Sequence, residues 1–148
     1  MKKMIYVLVI SLLSLAIFSC AKKDETPSTT TTTSFAPPSW IQGAWVDNVS
    51  SSTKYGYKFD SSDVYLVIFG TVTAGYVAAG VSMTELTSTD SAFSYSYPIS
   101  GTSGETSFSG TVTLAFTKET TSTIGLTGNS TTSYISVVEG TYTKDTSL

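Results

Sequence analysis

Beyond residue 40 the apolar and polar positions alternate with a period of two, not 3.6. Lys54-Tyr55-Gly56-Tyr57-Lys58-Phe59 sets three aromatic rings on one face and two lysines on the other, the pattern of a half-buried strand. Asp60-Ser61-Ser62-Asp63 supplies a turn, and Val64-Tyr65-Leu66-Val67-Ile68-Phe69 follows as a run apolar on both faces, so a hairpin is expected. Alternation returns in Ala92-Phe93-Ser94-Tyr95-Ser96-Tyr97, which Pro98 is expected to end, and in Thr111-Val112-Thr113-Leu114-Ala115-Phe116 after Gly110. Segments 43–49, 81–86, 104–108, 122–126 and 134–142 bring the expectation to about eight or nine short strands at about eight- to twelve-residue spacing. No stretch here carries a helical repeat. The fold class expected is all-β, an antiparallel meander closed as a barrel or folded as a sandwich.

Two earlier segments have other patterns. Residues 4–18 are continuously apolar behind Lys2 and Lys3, too short for a comfortable permanent span and shaped as a secretory leader. Residues 26–34 are threonine, serine and proline without alternation, followed by Ala36-Pro37-Pro38, which reads as a linker. The organisation expected is a leader over 1–19, a tether over 20–38 and one β domain over 39–148. Fully extended, the tether would reach about 50 Å.

Composition narrows the chemistry. The chain has 148 residues, no histidine, no arginine and one cysteine, Cys20. A serine-histidine-aspartate triad, a cysteine-histidine pair and a histidine zinc site are excluded. The formal charge is −3, and loss of Lys2 and Lys3 with the leader leaves six lysines against eleven carboxylates. Without a basic patch, nucleic acid is not expected as a partner. With 26 threonines and regularly placed aromatic residues, the composition itself leans toward β structure.

Leu15-Ala16-Ile17-Phe18-Ser19-Cys20 resembles the lipobox of bacterial lipoproteins, of the looser kind found in Bacteroidetes and spirochaetes. The resemblance implies cleavage before Cys20 and its acylation, so that the membrane is a partner through an N-terminal lipid anchor. Ala21-Lys22-Lys23-Asp24-Glu25 resembles the export signal of surface-displayed lipoproteins of that kind, which implies an outer-membrane address and display at the cell surface. Asp90-Ser91-Ala92 is similar to a short O-glycosylation motif of the same proteins.

Gly43-Ala44-Trp45 resembles the glycine-any-tryptophan signature of lipocalins and of short lipocalin-like (calycin-type) bacterial lipoproteins. That resemblance implies a barrel whose floor is plugged by Trp45, with a basic residue near the C-terminus stacked over the indole. Lys144 is the residue at the matching place, able to make a cation–π contact without a guanidinium's planar stack.

The aromatic faces are the candidate site. Tyr55, Tyr57 and Phe59 on one strand and Phe93, Tyr95 and Tyr97 on another would line a common cavity if they point inward, where a small apolar or amphipathic ligand could sit. The alternative is that the same side chains simply fill the interior, leaving a structural or interaction module at the cell surface. No catalytic constellation, metal site or cofactor is expected. Asp60 and Asp63 read as turn formers rather than calcium ligands, and Glu85, Glu105, Glu119 and Glu139 as solvated groups.

Overall fold

A computed structural model describes residues 34–148. The leader, Cys20 and the tether up to residue 33 lie outside the described residues. The strands are β1 (Gly43–Val46), β2 (Tyr55–Phe59), β3 (Val64–Ile68), β4 (Thr71–Val72), β5 (Thr84–Ser88), β6 (Ala92–Ser103), β7 (Thr106–Lys118), β8 (Thr123–Ser130) and β9 (Gly140–Asp145). All pair antiparallel in one sheet of order β4-β3-β2-β1-β9-β8-β7-β6-β5. Among the described residues there is no helix. The all-β antiparallel meander expected from the two-residue period is what the chain forms.

The order has a simple meaning. Every consecutive pair of strands is hydrogen-bonded except β4 with β5, and β9 returns to lie beside β1. The sheet curls until the Phe59 ring on β2 meets Phe93 on β6 at 6.1 Å and Phe116 on β7 at 5.2 Å, although β1, β9 and β8 separate β2 from β7 in the ladder. Closure as a barrel nevertheless fails at the β4/β5 seam. The physical reason lies in residues 73–83, which cross the seam as irregular chain rather than as a pairing strand. Both Asp63 carboxylate oxygens accept backbone N–H groups there, from Val77 at 2.8 Å and Ala78 at 2.9 Å, while Tyr76 N donates to Val64 O. Those bonds tie the crossing to the start of β3, and its side chains Tyr76 and Met83 pack on the core where ladder bonds would otherwise run. A single sheet also disposes of the sandwich alternative.

Several strands differ in extent from expectation: β1 ends at Val46 rather than at 49, β5 covers Thr84–Ser88 rather than 81–86, β8 runs on to Ser130, and β4 was not expected. Three further differences have a clear local reason. Pro98 does not end β6. Lys118 N donates to Ser91 O, so pairs alternate from there and Pro98 opposite Thr111 falls in a pair without ladder bonds. Its missing N–H would have faced the β5 side, where pairing stops at Ser96. Segments 104–108 and 111–116 merge into one thirteen-residue strand, β7. Segment 134–142 is strand only from Gly140. Its earlier alternation belongs to irregular chain that tucks Ile135 and Val137 against the core.

The largest share of the core comes from the inward faces of β6, β7 and β8, with Phe93, Tyr95, Leu114, Phe116, Ile124 and Leu126 all buried, and Trp45, Phe59, Val64 and Tyr142 complete it from β1, β2, β3 and β9. Phe35 joins them, packing edge-on against Tyr95 at 5.3 Å. The folded unit therefore begins before residue 39, and Phe35 is core rather than tether. Gly56 on β2 lets the sheet close up tightly, since a Cβ there would stand 1.9 Å from the Trp45 carbonyl oxygen.

Candidate functional site

Trp45 sits in the middle of β1 and is 1% exposed. Its indole nitrogen donates to Ile41 O at 2.6 Å, which satisfies the one polar atom that burial would otherwise strand. Across the ladder its partner is Lys144, whose ammonium lies 5.1 Å from the centre of the ring. Gly43 makes room for that lysine. Its φ of +114° suits glycine, and a Cβ would touch Lys144 Cε at 3.0 Å. Gly43, Trp45 and Lys144 thus form one contact group.

Of the six aromatics read as a lining, Tyr57, Phe59, Phe93, Tyr95 and Tyr97 meet in the interior. Tyr57 packs edge-on against Phe116 at 5.5 Å and Tyr95 stacks on Phe116 at 6.0 Å, while Tyr97 meets Tyr76 from the seam crossing at 5.3 Å. Tyr55 shares the parity of Tyr57 but pairs with Phe69 in the β3–β4 turn, at 5.1 Å. The space left between Tyr57, Leu66, Tyr76, Met83, Tyr95 and Tyr97 holds no volume that a water molecule could enter.

Burial sets the chemistry of these phenols. It pushes Tyr57, Tyr95 and Tyr97 above the ordinary tyrosine value, with neighbouring tyrosines adding to the effect, and it lifts Tyr142 to about 12. They remain neutral hydroxyls at physiological pH, suited to hydrogen bonding and not to nucleophilic attack. Tyr142 donates to Val138 O at 2.8 Å.

Asp60, Asp63, Glu85, Glu119 and Glu139 are engaged with the chain itself. Asp60 accepts from Ser62 N, Asp63 N and the Tyr65 hydroxyl, and the Tyr65 bond holds its carboxyl below the usual range. The same bond lifts Tyr65 to about 12. Asp63 accepts from Val64, Val77 and Ala78, as described above. Both residues therefore build turns. Glu85 accepts from Ala36 N, Glu119 from the Thr141 hydroxyl and Glu139 from Gly128 N. Glu119 and Glu139 flank a shallow groove of about 390 Å³ on the outer face of β7, β8 and β9, walled by Thr117, Thr127 and Thr141. Among the described residues no three carboxylates converge as a metal would require.

Three arrangements escaped the sequence reading. Phe35 is one, because its flanks look like linker. The Lys54–Asp145 ion pair is another, joining the residue just before β2 to the last residue of β9, 91 positions away. The third is a stack of Phe108 on Tyr134, rings 4.8 Å apart and 19° from parallel, at the far end of the β6–β7 ribbon. Residues 104–108 and 134–142 were both read as strand segments, but period alone could not bring them together.

Comparison of the chain with protein-family models, with curated proteins and with solved structures found no match.

Proposed function

We propose that the chain is an exported, lipid-anchored, non-enzymatic lipoprotein of the outer membrane, displayed at the cell surface, whose β domain serves as a structural or interaction module through its outer surface. The observation that carries this reading is the packed interior. Aromatic side chains occupy the volume where a ligand would sit, Phe35 and Ile41 fill in from the N-terminal segment, Ile135 and Val137 from the loop before β9, and Tyr76 and Met83 along the seam. A domain filled from three directions has only its outside to offer a partner.

The anchor rests on Cys20, the sole cysteine, behind the apolar run of residues 4–18. Likeness to a lipocalin-type module is supported by the contact of Gly43, Trp45 and Lys144 and by the return of β9 to β1. The rival reading, a small apolar ligand held among Tyr57, Phe59, Phe93, Tyr95 and Tyr97, requires Tyr76 and Met83 to leave the seam.

Titration with cis-parinaric acid, read by energy transfer from tryptophan, tests the choice between the two. No saturable signal is expected. One probe bound per chain, with the signal lost in Tyr95→Ala, would overturn the module reading. The anchor is tested separately by detergent phase partition: Cys20→Ala should move the chain to the aqueous phase, and an unchanged partition would remove the anchor from the proposal.

A further inference from the structure

Beyond Ser96 strand β6 has no partner on its β5 side, and β7 before Val112 has no β8 strand beside it, so residues 98–103 and 106–111 stand out as a two-stranded ribbon. Phe108 lies directly opposite Gly101 in that ribbon. A Cβ on Gly101 would strike the Phe108 ring at 2.7 Å, so the ring lies down over the bare glycine. Tyr134 then lies nearly flat on Phe108 and remains 41% exposed. Glycine, phenylalanine and tyrosine form three layers, the outermost being an aromatic face.

The loop that carries this face is hydrogen-bonded to the ribbon and to itself. Thr111 N donates to the Thr131 hydroxyl at 2.8 Å and Thr131 N returns a bond to Thr111 O at 3.0 Å. Thr132 N and Tyr134 N are each held by a hydroxyl two residues earlier. Gly110 makes the seat, since a Cβ there would meet the Thr131 hydroxyl at 2.8 Å. A ring fixed before binding loses little freedom when it binds.

The surroundings select the ligand. Across residues 98–113 and 129–138 the only charged side chain is Glu105, while eleven serines and threonines other than Thr113 and Ser130 supply hydroxyls. With no cation present, the site has nothing to hold a phosphate, sulfate or carboxylate. Area argues against a protein partner. A stable interface needs roughly 800 Å² on each side with a buried apolar centre, and here only Tyr134 and Val138 are large exposed apolar groups. A single aromatic face does match one sugar ring, whose C–H bonds meet the negative π face while its hydroxyls reach the rim. The other strongly exposed ring, Phe69, meets the half-buried Tyr55 at a tilt of 58° and offers no flat double layer.

We propose that the Phe108–Tyr134 stack is a binding platform for the pyranose rings of neutral glycans. The proposal rests on the reading of the domain as an outer-surface module and names its partner class. The test is affinity electrophoresis of the full chain through native gels containing dextran, mannan, soluble starch or heparin. Retardation by at least one of the three neutral polymers and not by heparin is expected, with Tyr134→Ala weakening it about five- to tenfold and Tyr134→Phe leaving it within about twofold. Tyr134→Leu keeps apolar bulk without the flat face and should behave as the alanine variant does. Retardation by no neutral polymer, retardation by heparin, or equal retardation of Tyr134→Ala and the parent chain would each overturn the proposal. The cis-parinaric acid titration on the same sample separates the two failures: a negative titration leaves the module reading standing when the glycan platform falls, and a saturable one removes the module reading itself.

Discussion

Trp45 and Tyr134 are both aromatic rings seated where glycines have cleared the ground, and they have opposite fates. Around Trp45, Gly43 admits Lys144 to one face of the indole, Ile41 takes its N–H, and 1% of the residue reaches solvent. Around Tyr134, Gly101 lets Phe108 lie flat beneath the ring, and 41% of the residue is exposed. In the first case the cation over the ring is internal and the contact holds the fold. In the second the chain supplies the support and leaves part of the residue in solvent. Changes at the two rings should therefore separate stability from binding.

The largest effect belongs to Trp45→Ala. Loss of a fully buried indole, with a cavity left inside a curled sheet that has little room to relax, should cost about 3–5 kcal/mol of unfolding free energy. That is a large share of a small domain's stability. Urea unfolding followed by circular dichroism measures it, and a cost below about 1 kcal/mol would mean that the Gly43, Trp45 and Lys144 group does not organise the floor. Phe35→Ala comes next. The ring is buried against Phe93 and Tyr95 but hangs on a terminal segment, so a loss of about 2 kcal/mol is expected. An unchanged urea midpoint would return Phe35 to the tether.

The contrast between these two residues shows how far the sequence could be read. Trp45 was legible because Gly43-Ala44-Trp45 resembles the glycine-any-tryptophan signature of lipocalins, not because its strand alternates. Phe35 was not, because one apolar residue between a threonine run and two prolines has no period. Strand count and fold class followed from alternation, which is local. The open seam did not, since it depends on Asp63 capping a turn fourteen and fifteen residues away. Pro98 misled because whether its missing N–H matters depends on the reach of β5. At the site, period correctly drew Phe59, Phe93 and Tyr95 together but could not say whether space remained between them. The Phe108–Tyr134 stack depends on a long-range approach that neither segment announces.

Acid and base should probe different parts of the fold. Tyr57, Tyr95 and Tyr97 have folded-state values raised by burial, so they favour folding below pH 10, where the unfolded phenols are also neutral. That advantage is lost as pH rises through 10 and the unfolded chain alone releases protons. A steep fall in urea midpoint above pH 10 is expected, shallower in Tyr97→Phe; a flat alkaline arm would contradict the packed interior. The acid arm is weaker and comes from the buried carboxylate of Asp145 at the end of β9. Lys54 and Ser147 hold the Asp145 carboxyl at about 2, below its ordinary 3.8, so its contribution is complete above pH 4 and is lost as pH falls toward 2. Asp145→Asn should flatten the urea midpoint over that interval, and an unchanged slope would assign the acid loss to other carboxylates.

The smallest expected stability change is at Tyr134. Truncation to alanine removes one ring from the Phe108 stack, but the ring was already partly in water, no buried polar atom is stranded, and the loop keeps its backbone bonds from Thr131, Thr132 and Thr111. A change within about 1 kcal/mol is expected, mostly the lost ring contact. If Tyr134→Ala instead destabilises the chain as strongly as Trp45→Ala, the stack is a covering for the ribbon's inner face and its exposure is incidental. A small cost is what distinguishes an aromatic that the fold can spare from one that the fold needs, and it leaves the exposure of Tyr134 to be explained by what binds there.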